Sequence, residues 1–195
     1  MLANLDLNAA MAPVQNGHPG HYNDADGLQV GNVGLSIDEQ RSHFTLWALM
    51  GSPLLISTDL GAISAESLRV LTAAEIIAVN QDALGLQGAR VGPPANASAA
   101  GEVWAKRLAG GDLAVVLFNR RGAGPADVAL ELSTLPVVAA TWTARDMWAR
   151  AEIGVIGPRR YVAKGVPRHG VVALRLTPTN SSGAAPARRS SRILV

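Results

Sequence analysis

The spacing of apolar residues predicts a helix in the first half of the chain. Four apolar residues recur at the interval of one helical face: Ile37, Phe44, Trp47 and Ala48. Ser36 and Glu39, which flank the start of this stripe, have the spacing of a capping box. We therefore predict a helix that begins after Ser36 and is ended by Gly51 and Pro53. The stripe is expected to face the core.

A buried strand and further helices are predicted after this helix. Residues 54–57 (Leu-Leu-Ile-Ser) form a short, continuously apolar run, which is typical of a parallel strand covered on both faces. Ser64 and Thr72 have the character of helix N-caps, and Thr72 with Glu75 repeats the capping-box spacing. The order of helix, strand and helices indicates an α/β layer arrangement.

The second half of the chain has a different pattern, after a proline- and glycine-rich segment at residues 92–101. Its apolar runs are short and β-like, and they lie at 103–108, 113–118, 128–132, 140–143 and 171–176. Gly110, Gly111 and Asp112 are expected to form a hairpin turn. Closely spaced short strands favour an antiparallel sandwich. From residue 178 onward, the composition predicts a disordered tail.

Composition narrows the class of protein. The 195 residues are 48% hydrophobic and 16% charged with a net charge of +2, as in an apolar globular protein of two domains. Nothing indicates a nucleic-acid partner, and the tail arginines (188, 189 and 192) are expected to be solvated. The absence of cysteine excludes disulfides and thiolate metal sites. No apolar run approaches the roughly 20 residues of a membrane span. No signal-peptide pattern is visible, so the chain taken alone is expected to stay in the cytosol.

The candidate chemistry lies in residues 21–28 (His-Tyr-Asn-Asp-Ala-Asp-Gly-Leu). Asp24 and Asp26 are separated by one residue, so in an extended chain both carboxylates would project from the same face. Such a pair suits sugar hydroxyls, a cation or a buried turn. Our working hypothesis is a carbohydrate pocket. The histidines at 18, 21 and 169 are too dispersed for a metal site, and no metal or cofactor is predicted.

Ordered blocks of the chain resemble glycoside hydrolase family 27, the melibiase family of α-galactosidases and α-N-acetylgalactosaminidases. Residues 21–28 are similar to its Trp-Asn-Asp-Pro-Asp-Met-Leu block. Further blocks lie at 31–36, 41–44, 47–50, 53–60, 79–85, 145–148 and 167–172. The resemblance covers about residues 4–177, and blocks in this order are highly specific.

The resemblance implies a fold of two parts, a (β/α)8 TIM barrel followed by an antiparallel β-sandwich. A complete barrel needs about 250 residues. We therefore expect the chain to hold only the last part of the barrel at residues 1–88, the whole sandwich at 89–177 and the tail at 178–195.

The resemblance also implies a function. Family members are retaining enzymes with an aspartate nucleophile and an aspartate acid/base about 5 Å apart. Both would lie upstream of the matched blocks, so no residue of this chain is expected to be catalytic. The chain is expected to be the C-terminal part of an enzyme acting on terminal α-galactosides, inactive by itself. The alternative is a non-catalytic remnant, or a module that binds carbohydrate or a partner. Galactose and N-acetylgalactosamine both stay open as the recognised sugar, as does the oligomeric state. Family habit implies a secreted, vacuolar or lysosomal location.

The resemblance assigns substrate-binding candidates to residues 22–26. Asp26 is similar to the family residue that hydrogen-bonds sugar hydroxyls. Asn23 and Asp24 are expected to organise the loop. Tyr22 replaces the family's tryptophan and keeps an aromatic ring. Gly27 replaces a methionine, which removes a side chain that often lies against the sugar.

Other polar and aromatic residues have competing explanations. Asp59 is as well suited to capping a turn as to contacting a ligand. His43 is expected to be a packed or surface histidine. The tryptophans at 104, 142 and 148 are expected in the core of the sandwich, with a sugar-stacking strip as the alternative.

Overall fold

A computed structural model describes residues 1–12, 18–92 and 101–179 of the chain. Its helices are α1 (Leu2–Met11), α2 (Ile37–Met50), α3 (Ala65–Leu71) and α4 (Ala74–Asn80), all in the first half. In the described part of the chain, none of them has the length and apolar character needed to cross a membrane. Most of segment 92–101 lies outside the described residues. The tail was predicted to begin at residue 178, but residues 178 and 179 belong to the last strand, and the chain from 180 onward lies outside the described residues.

Helix α2 confirms the prediction drawn from its capping residues. The Glu39 amide donates to the Ser36 hydroxyl at 3.3 Å, and the Ser36 amide donates to the Glu39 carboxylate at 2.8 Å. At the other end, Gly51 has the left-handed φ of +72° that closes a helix without steric cost. Phe44 and Trp47 are buried, as the apolar stripe predicted.

The prediction that Thr72 caps a helix N-terminus is wrong. Helix α4 begins after Ala73, which supplies no side-chain cap. Thr72 instead follows the last residue of α3, where its hydroxyl donates to the Leu68 carbonyl at 2.8 Å. The connection between the two helices is so short that the threonine side chain turns back onto the preceding helix. Ser64, in contrast, caps α3 as predicted, since its hydroxyl accepts from the Ser67 amide.

The prediction of a strand at residues 54–57 covered on both faces is also wrong. This segment makes an isolated parallel bridge between Leu28 and Ile56, supported by a 2.8 Å bond from the Leu28 amide to the Leu55 carbonyl. Leu55 is 58% exposed and Ile56 is 49% exposed. Within the described residues, the segment has a strand partner on the Leu28 side alone. Leu54 packs partly against the core of the helices, whereas Leu55 and Ile56 stay open to solvent.

The second half of the chain is an antiparallel sandwich. A six-stranded sheet has the order β1-β2-β3-β8-β5-β6, and a two-stranded sheet pairs β4 with β7. The strands are β1 (Ala89–Arg90), β2 (Glu102–Arg107), β3 (Leu113–Phe118), β4 (Ala126–Glu131), β5 (Thr141–Asp146), β6 (Ala151–Ile156), β7 (Arg160–Val166) and β8 (Val171–Thr179), with a 3₁₀ turn at Leu132–Thr134. The predicted glycine turn joins β2 to β3, with the Leu108 amide bonded to the Asp112 carbonyl.

Strand β3 explains how the helices attach to the sandwich. Its alternate residues Ala114, Val116 and Phe118 belong to the core shared with the helices. The intervening residues Leu113, Val115 and Leu117 belong to the core shared with β4 and β7. Since side chains alternate along a strand, the larger sheet is covered on both faces and β3 reads as a continuous apolar run.

Polar contacts also tie the helices to the sandwich. Asp6 of α1 pairs with Arg90 at 2.9 Å and with Arg120 at 2.5 Å. The buried ammonium of Lys106 in β2 donates to the Val79 carbonyl in the last turn of α4 at 2.7 Å. Burial lowers the Lys106 pKa to about 8. The Asp6 pairs attach α1 to the sandwich, and the Lys106 hydrogen bond attaches α4 to it.

Candidate functional site

A cleft of about 350 Å³ lies between α1 and the acidic loop. Its lining residues are Asn4, Leu7, Asn8 and Met11 of α1 and Asn23, Asp24, Ala25 and Asp26 of the loop. Three of the four predicted site residues therefore share one cleft. The fourth, Tyr22, is 46% exposed and does not line it. A methyl group built on Gly51 would lie 4.0 Å from the Tyr22 ring, so the tyrosine packs beside the end of α2.

Asp26 has a strained backbone, and two hydrogen bonds hold the turn around it. Its φ of +81° is unusual for a residue other than glycine. The indole nitrogen of Trp47 donates to the Asp26 carbonyl at 2.8 Å. One carboxylate oxygen, Oδ1, accepts the Gly27 amide at 2.7 Å. The side chain is exposed and lines the cleft. The Trp47 and Gly27 hydrogen bonds therefore fix the turn at Asp26.

The prediction that Asp24 and Asp26 project from one face of an extended chain is wrong, although both residues line the cleft. With its positive φ, Asp26 lies in a turn and not in an extended chain. Oδ1 of Asp24 accepts the Asp26 amide at 2.9 Å, an aspartate turn that fixes the loop. The two acids thus share one side of the cleft because the chain turns around Asp24.

An amide relay connects the loop to α1 and to the start of the sandwich. The Asn23 side chain donates to the Gln87 side chain at 2.7 Å, and Gln87 donates to the Asn8 carbonyl at 2.9 Å. The Asn4 side chain donates to the Ala25 carbonyl at 3.1 Å. Sequence reasoning missed the contribution of α1. Its signal was the pair Asn4 and Asn8, which are four residues apart and so share a helical face.

His43 supports the far end of the loop. Its Nε2 accepts the Gln29 amide at 3.0 Å, and its ring meets Trp47 edge-on with centroids 4.1 Å apart. It is 1% exposed, and burial lowers its pKa to about 4. The imidazole is therefore neutral at pH 7, as an acceptor of the Gln29 amide must be. His43 is the packed histidine that the sequence predicted.

Gly27 leaves little room for a side chain. A methyl group built on it would lie 3.3 Å from the Ser57 hydroxyl and 3.8 Å from the Leu55 carbonyl. The Ser57 hydroxyl donates in turn to the Leu28 carbonyl. The loop thus runs close against segment 54–57 at this point.

The remaining candidates have structural roles. Asp59 is exposed, and its carboxylate accepts the Gly61 amide at 2.8 Å, as in the turn-capping explanation. Trp104 and Trp142 are fully buried in the core, whereas Trp148 is only partly buried and packs against its edge, so the prediction is wrong for Trp148. The rings of His18 and His21 lie 4.3 Å apart. Over the three described ranges, no group of three or more histidine, aspartate or glutamate side chains is arranged to hold a metal ion.

The arrangement offers hydrogen-bonding groups to a small polar ligand. Carboxylate oxygens accept hydrogen bonds, and asparagine side chains both donate and accept them. Each sugar hydroxyl group can both donate and accept a hydrogen bond, so sugar hydroxyls match such a mixed lining. Leu7 and Met11 add an apolar wall from α1.

Known proteins match both halves of the chain. A family model described as "Alpha galactosidase A" matches residues 6–82, and one described as "Alpha galactosidase C-terminal beta sandwich domain" matches residues 98–176. A probable alpha-galactosidase of Dictyostelium discoideum is 38% identical over 92% of the chain, which is 46% of that protein. An alpha-galactosidase of Oryza sativa subsp. japonica is 39% identical over 82% of the chain and 37% of its own length.

A solved structure agrees with these sequence matches. The crystal structure of alpha-galactosidase I from Mortierella vinacea superposes with a TM-score of 0.78 at 27% identity, over 88% of the chain and 43% of that protein. The chain thus spans less than half the length of these relatives.

Proposed function

We propose that this chain, which belongs to glycoside hydrolase family 27 and matches the C-terminal portion of its members, completes the substrate pocket of a retaining α-galactosidase without supplying a catalytic group. The substrate class is terminal α-galactosides. In this proposal, Asp26 contacts the sugar, whereas Asn23 and Asp24 hold the loop in position.

The observation that carries the proposal is the shared loop of the two acids. Retaining hydrolysis needs two carboxyl groups about 5 Å apart that approach the sugar from different sides. Asp24 and Asp26 belong to one turn, and an oxygen of Asp24 is bonded to the Asp26 amide. A pair fixed in this way reaches a sugar from one side. We therefore assign both catalytic aspartates to the remainder of the barrel.

The open flank of segment 54–57 supports the same proposal. Leu55, Ile56 and Leu60 are each about half exposed or more, at 58%, 49% and 57%. In a closed barrel every strand has a neighbour on both sides, and such side chains are covered. This flank is where the other barrel strands would pack, beside the cleft that carries Asp26.

A chimera tests the proposal directly. We would join the N-terminal portion of the Oryza sativa alpha-galactosidase to this chain, in place of that enzyme's own C-terminal portion, and assay hydrolysis of p-nitrophenyl α-galactoside. The chimera should turn over the substrate, and the 195-residue chain alone should not. Asp26→Asn in the chimera should lower kcat/KM by at least about tenfold, since a hydrogen bond between charged and neutral groups is worth about 1.5–3 kcal/mol.

The matched control is Asp59→Asn, which alters an exposed aspartate that caps a turn. It should leave kcat/KM within about twofold of the unmodified chimera. Turnover by the 195-residue chain alone would contradict the assignment of the catalytic groups. A folded chimera that hydrolyses the substrate equally well with either substitution would contradict the role of Asp26.

The open cleft also favours a second candidate, a carbohydrate-binding module without hydrolysis. It would show as saturable binding of galactose to the isolated chain, measured by calorimetry and lost in Asp26→Asn, together with an inactive but folded chimera.

A further inference from the structure

A second crevice, of about 490 Å³, lies between the helices and the turn that joins β5 to β6. We call it the arginine crevice. Arg41 of α2, Arg69 of α3 and Arg150 of the β5–β6 turn line it, together with Trp148 and Glu66. Three elements that are distant in sequence thus bring three guanidinium groups to one concave surface.

These three arginines lack the ion pairs that four arginines near the sheet and its interface with the helices form. Arg90, Arg120, Arg145 and Arg175 each form an ion pair with a carboxylate at 2.9 Å or less. Arg41, Arg69 and Arg150 form no ion pair within 4 Å with any carboxylate that the structure describes. Glu66 offsets part of their charge, and the crevice stays net positive. Guanidinium groups present paired donors that match the oxygens of a sulfate, phosphate or carboxylate group.

Trp148 gives the crevice a fixed aromatic wall. Its indole nitrogen donates to the Thr45 hydroxyl at 3.0 Å, and the guanidinium carbon of Arg41 lies 5.6 Å from the ring centroid. Asp146 accepts the Trp148 and Ala149 amides at 2.9 Å each, which stiffens the turn that carries the tryptophan. The ring is therefore positioned before any ligand arrives.

The arginine crevice and the acidic loop lie on different sides of α2. Arg41 precedes His43 by two residues and Trp47 by six. At about 100° per residue, the side chain of Arg41 leaves the helix axis in a direction more than about 90° from those of His43 and Trp47. His43 and Trp47 hold the acidic loop. A ligand in the crevice would thus contact the opposite side of this helix.

We propose that the arginine crevice binds an anionic saccharide. The sulfate, phosphate or carboxylate group lies between the guanidinium groups, and the sugar ring lies against Trp148. The volume supports a ligand larger than an inorganic anion, since it falls within the usual range of roughly 300–1,000 Å³ for small-molecule sites. This proposal does not depend on the role assigned to Asp26.

Tryptophan fluorescence of the full 195-residue chain tests the proposal. Trp47, Trp104 and Trp142 are 1% exposed or less, so Trp148 is the tryptophan open to a ligand. We would titrate the chain with galactose 6-sulfate, with inorganic sulfate and with galactose. Galactose 6-sulfate should produce a saturable change with an affinity at least about tenfold above that of either other probe, because it alone engages both the arginines and the indole.

Substitutions locate the binding. Arg69→Gln and Arg150→Gln should each weaken galactose 6-sulfate binding by at least about tenfold, since each removes a charged hydrogen-bond donor. Trp148→Phe should abolish the fluorescence change and weaken binding measured by calorimetry. Arg107→Gln removes the same charge from an exposed position in β2 outside the crevice, and it should leave the affinity within about twofold.

Three results would overturn the proposal. The first is the absence of a saturable change with galactose 6-sulfate in the folded chain. The second is equal affinity for inorganic sulfate, which would make the sugar ring irrelevant. The third is an equal effect of Arg107→Gln and Arg69→Gln, which would mean that net charge and not the crevice determines binding.

Discussion

The indole nitrogen of Trp47 donates a 2.8 Å hydrogen bond to the backbone carbonyl of Asp26. Trp47 belongs to a buried helix, whereas Asp26 is an exposed residue with a φ of +81°. A helix side chain therefore fixes the turn that presents the proposed sugar-binding carboxylate. The contact joins the packing of the core to the geometry of the cleft.

Replacing Trp47 by phenylalanine should loosen this turn. Trp47→Phe removes the hydrogen bond and should lower the free energy of unfolding by about 1 kcal/mol beyond the loss of packing. Amide hydrogen exchange at residues 26–29 should become faster in the same variant. Urea unfolding and exchange measured by mass spectrometry would test both effects.

Trp142→Phe is the matched control for this change. Trp142 is fully buried, and its indole nitrogen has no hydrogen-bond partner among the described residues. The variant should lose packing alone and leave exchange at residues 26–29 unaltered. Equal exchange in that segment for both variants would contradict the positioning role of Trp47.

His43 should make the free energy of unfolding depend on pH below about 6.5. Burial lowers its pKa in the folded chain to about 4, against 6.5 for an unperturbed histidine. Below pH 6.5 the His43 ring therefore binds a proton in the unfolded chain but stays neutral in the folded chain. As a result, the free energy of unfolding falls as pH decreases. Over the full window down to about pH 4, the loss should reach about 3 kcal/mol, of which about 2 kcal/mol should appear by pH 5.

Urea unfolding at several pH values between about 7.5 and 5 would measure this slope. His43→Gln keeps an acceptor near the Gln29 amide but cannot titrate, so its stability should be nearly flat over the window. His21→Gln changes an exposed histidine and should keep the slope of the parent chain. A parent chain with flat stability between pH 6.5 and 5 would show that His43 is not buried in its neutral form.

Helix α2 and strand β3 could be predicted from the sequence because the capping residues and the apolar pattern of each element agree with how that element packs. The capping residues Ser36 and Glu39 form both of their expected bonds. Strand β3 is apolar at every position because both of its faces are covered. Resemblance to family 27 then placed these elements in a partial barrel followed by a sandwich, which the family matches confirm.

Strands β6 and β7 were not predicted because few of their residues are buried. Strand β6 lies at the edge of its sheet, and β7 includes the exposed residues Arg160, Lys164 and Gly165. A strand with few buried side chains does not require alternating apolar residues, so its sequence shows little hydrophobic periodicity. The buried side chains of these two strands are Ile156, Ala163 and Val166, which is too few to form a recognisable pattern.

The turn at Asp26 was missed for a different reason. Alternation along an extended chain assumes a β backbone, but the Asp24 side chain bonds the Asp26 amide and bends the chain. The contribution of α1 to the cleft depends on Asn4 and Gln87, which contact the loop across long stretches of sequence. The spacing of Asn4 and Asn8 indicates a polar helical face, but it does not indicate which distant residues that face contacts.

Arg120 should be important for the attachment of α1 to the sandwich. It pairs with Asp6 at 2.5 Å and with the Glu102 carboxylate, which is 3% exposed, at 3.1 Å. Arg120→Gln leaves that buried carboxylate with fewer partners, and it should lower the free energy of unfolding by about 3 kcal/mol. Arg160→Gln breaks the exposed pair with Glu131 and should cost at most about 1 kcal/mol. Similar losses in urea unfolding for both variants would contradict the special role of the interface pair.

The open flank at residues 54–60 should make the isolated chain self-associate. Leu55 is 58% exposed. Within the described chain, the backbone of this segment pairs with Leu28 on one side alone. Exposed apolar strand edges promote association between copies of a chain. Leu55→Lys should shift the chain toward the monomer in sedimentation velocity, because a charged side chain on the flank opposes contact between copies. Val138→Lys introduces the same charge at a residue that is fully exposed on the sandwich, and it should leave the association unchanged. A monomeric parent chain, or an equal effect of both lysines, would show that the flank does not drive association.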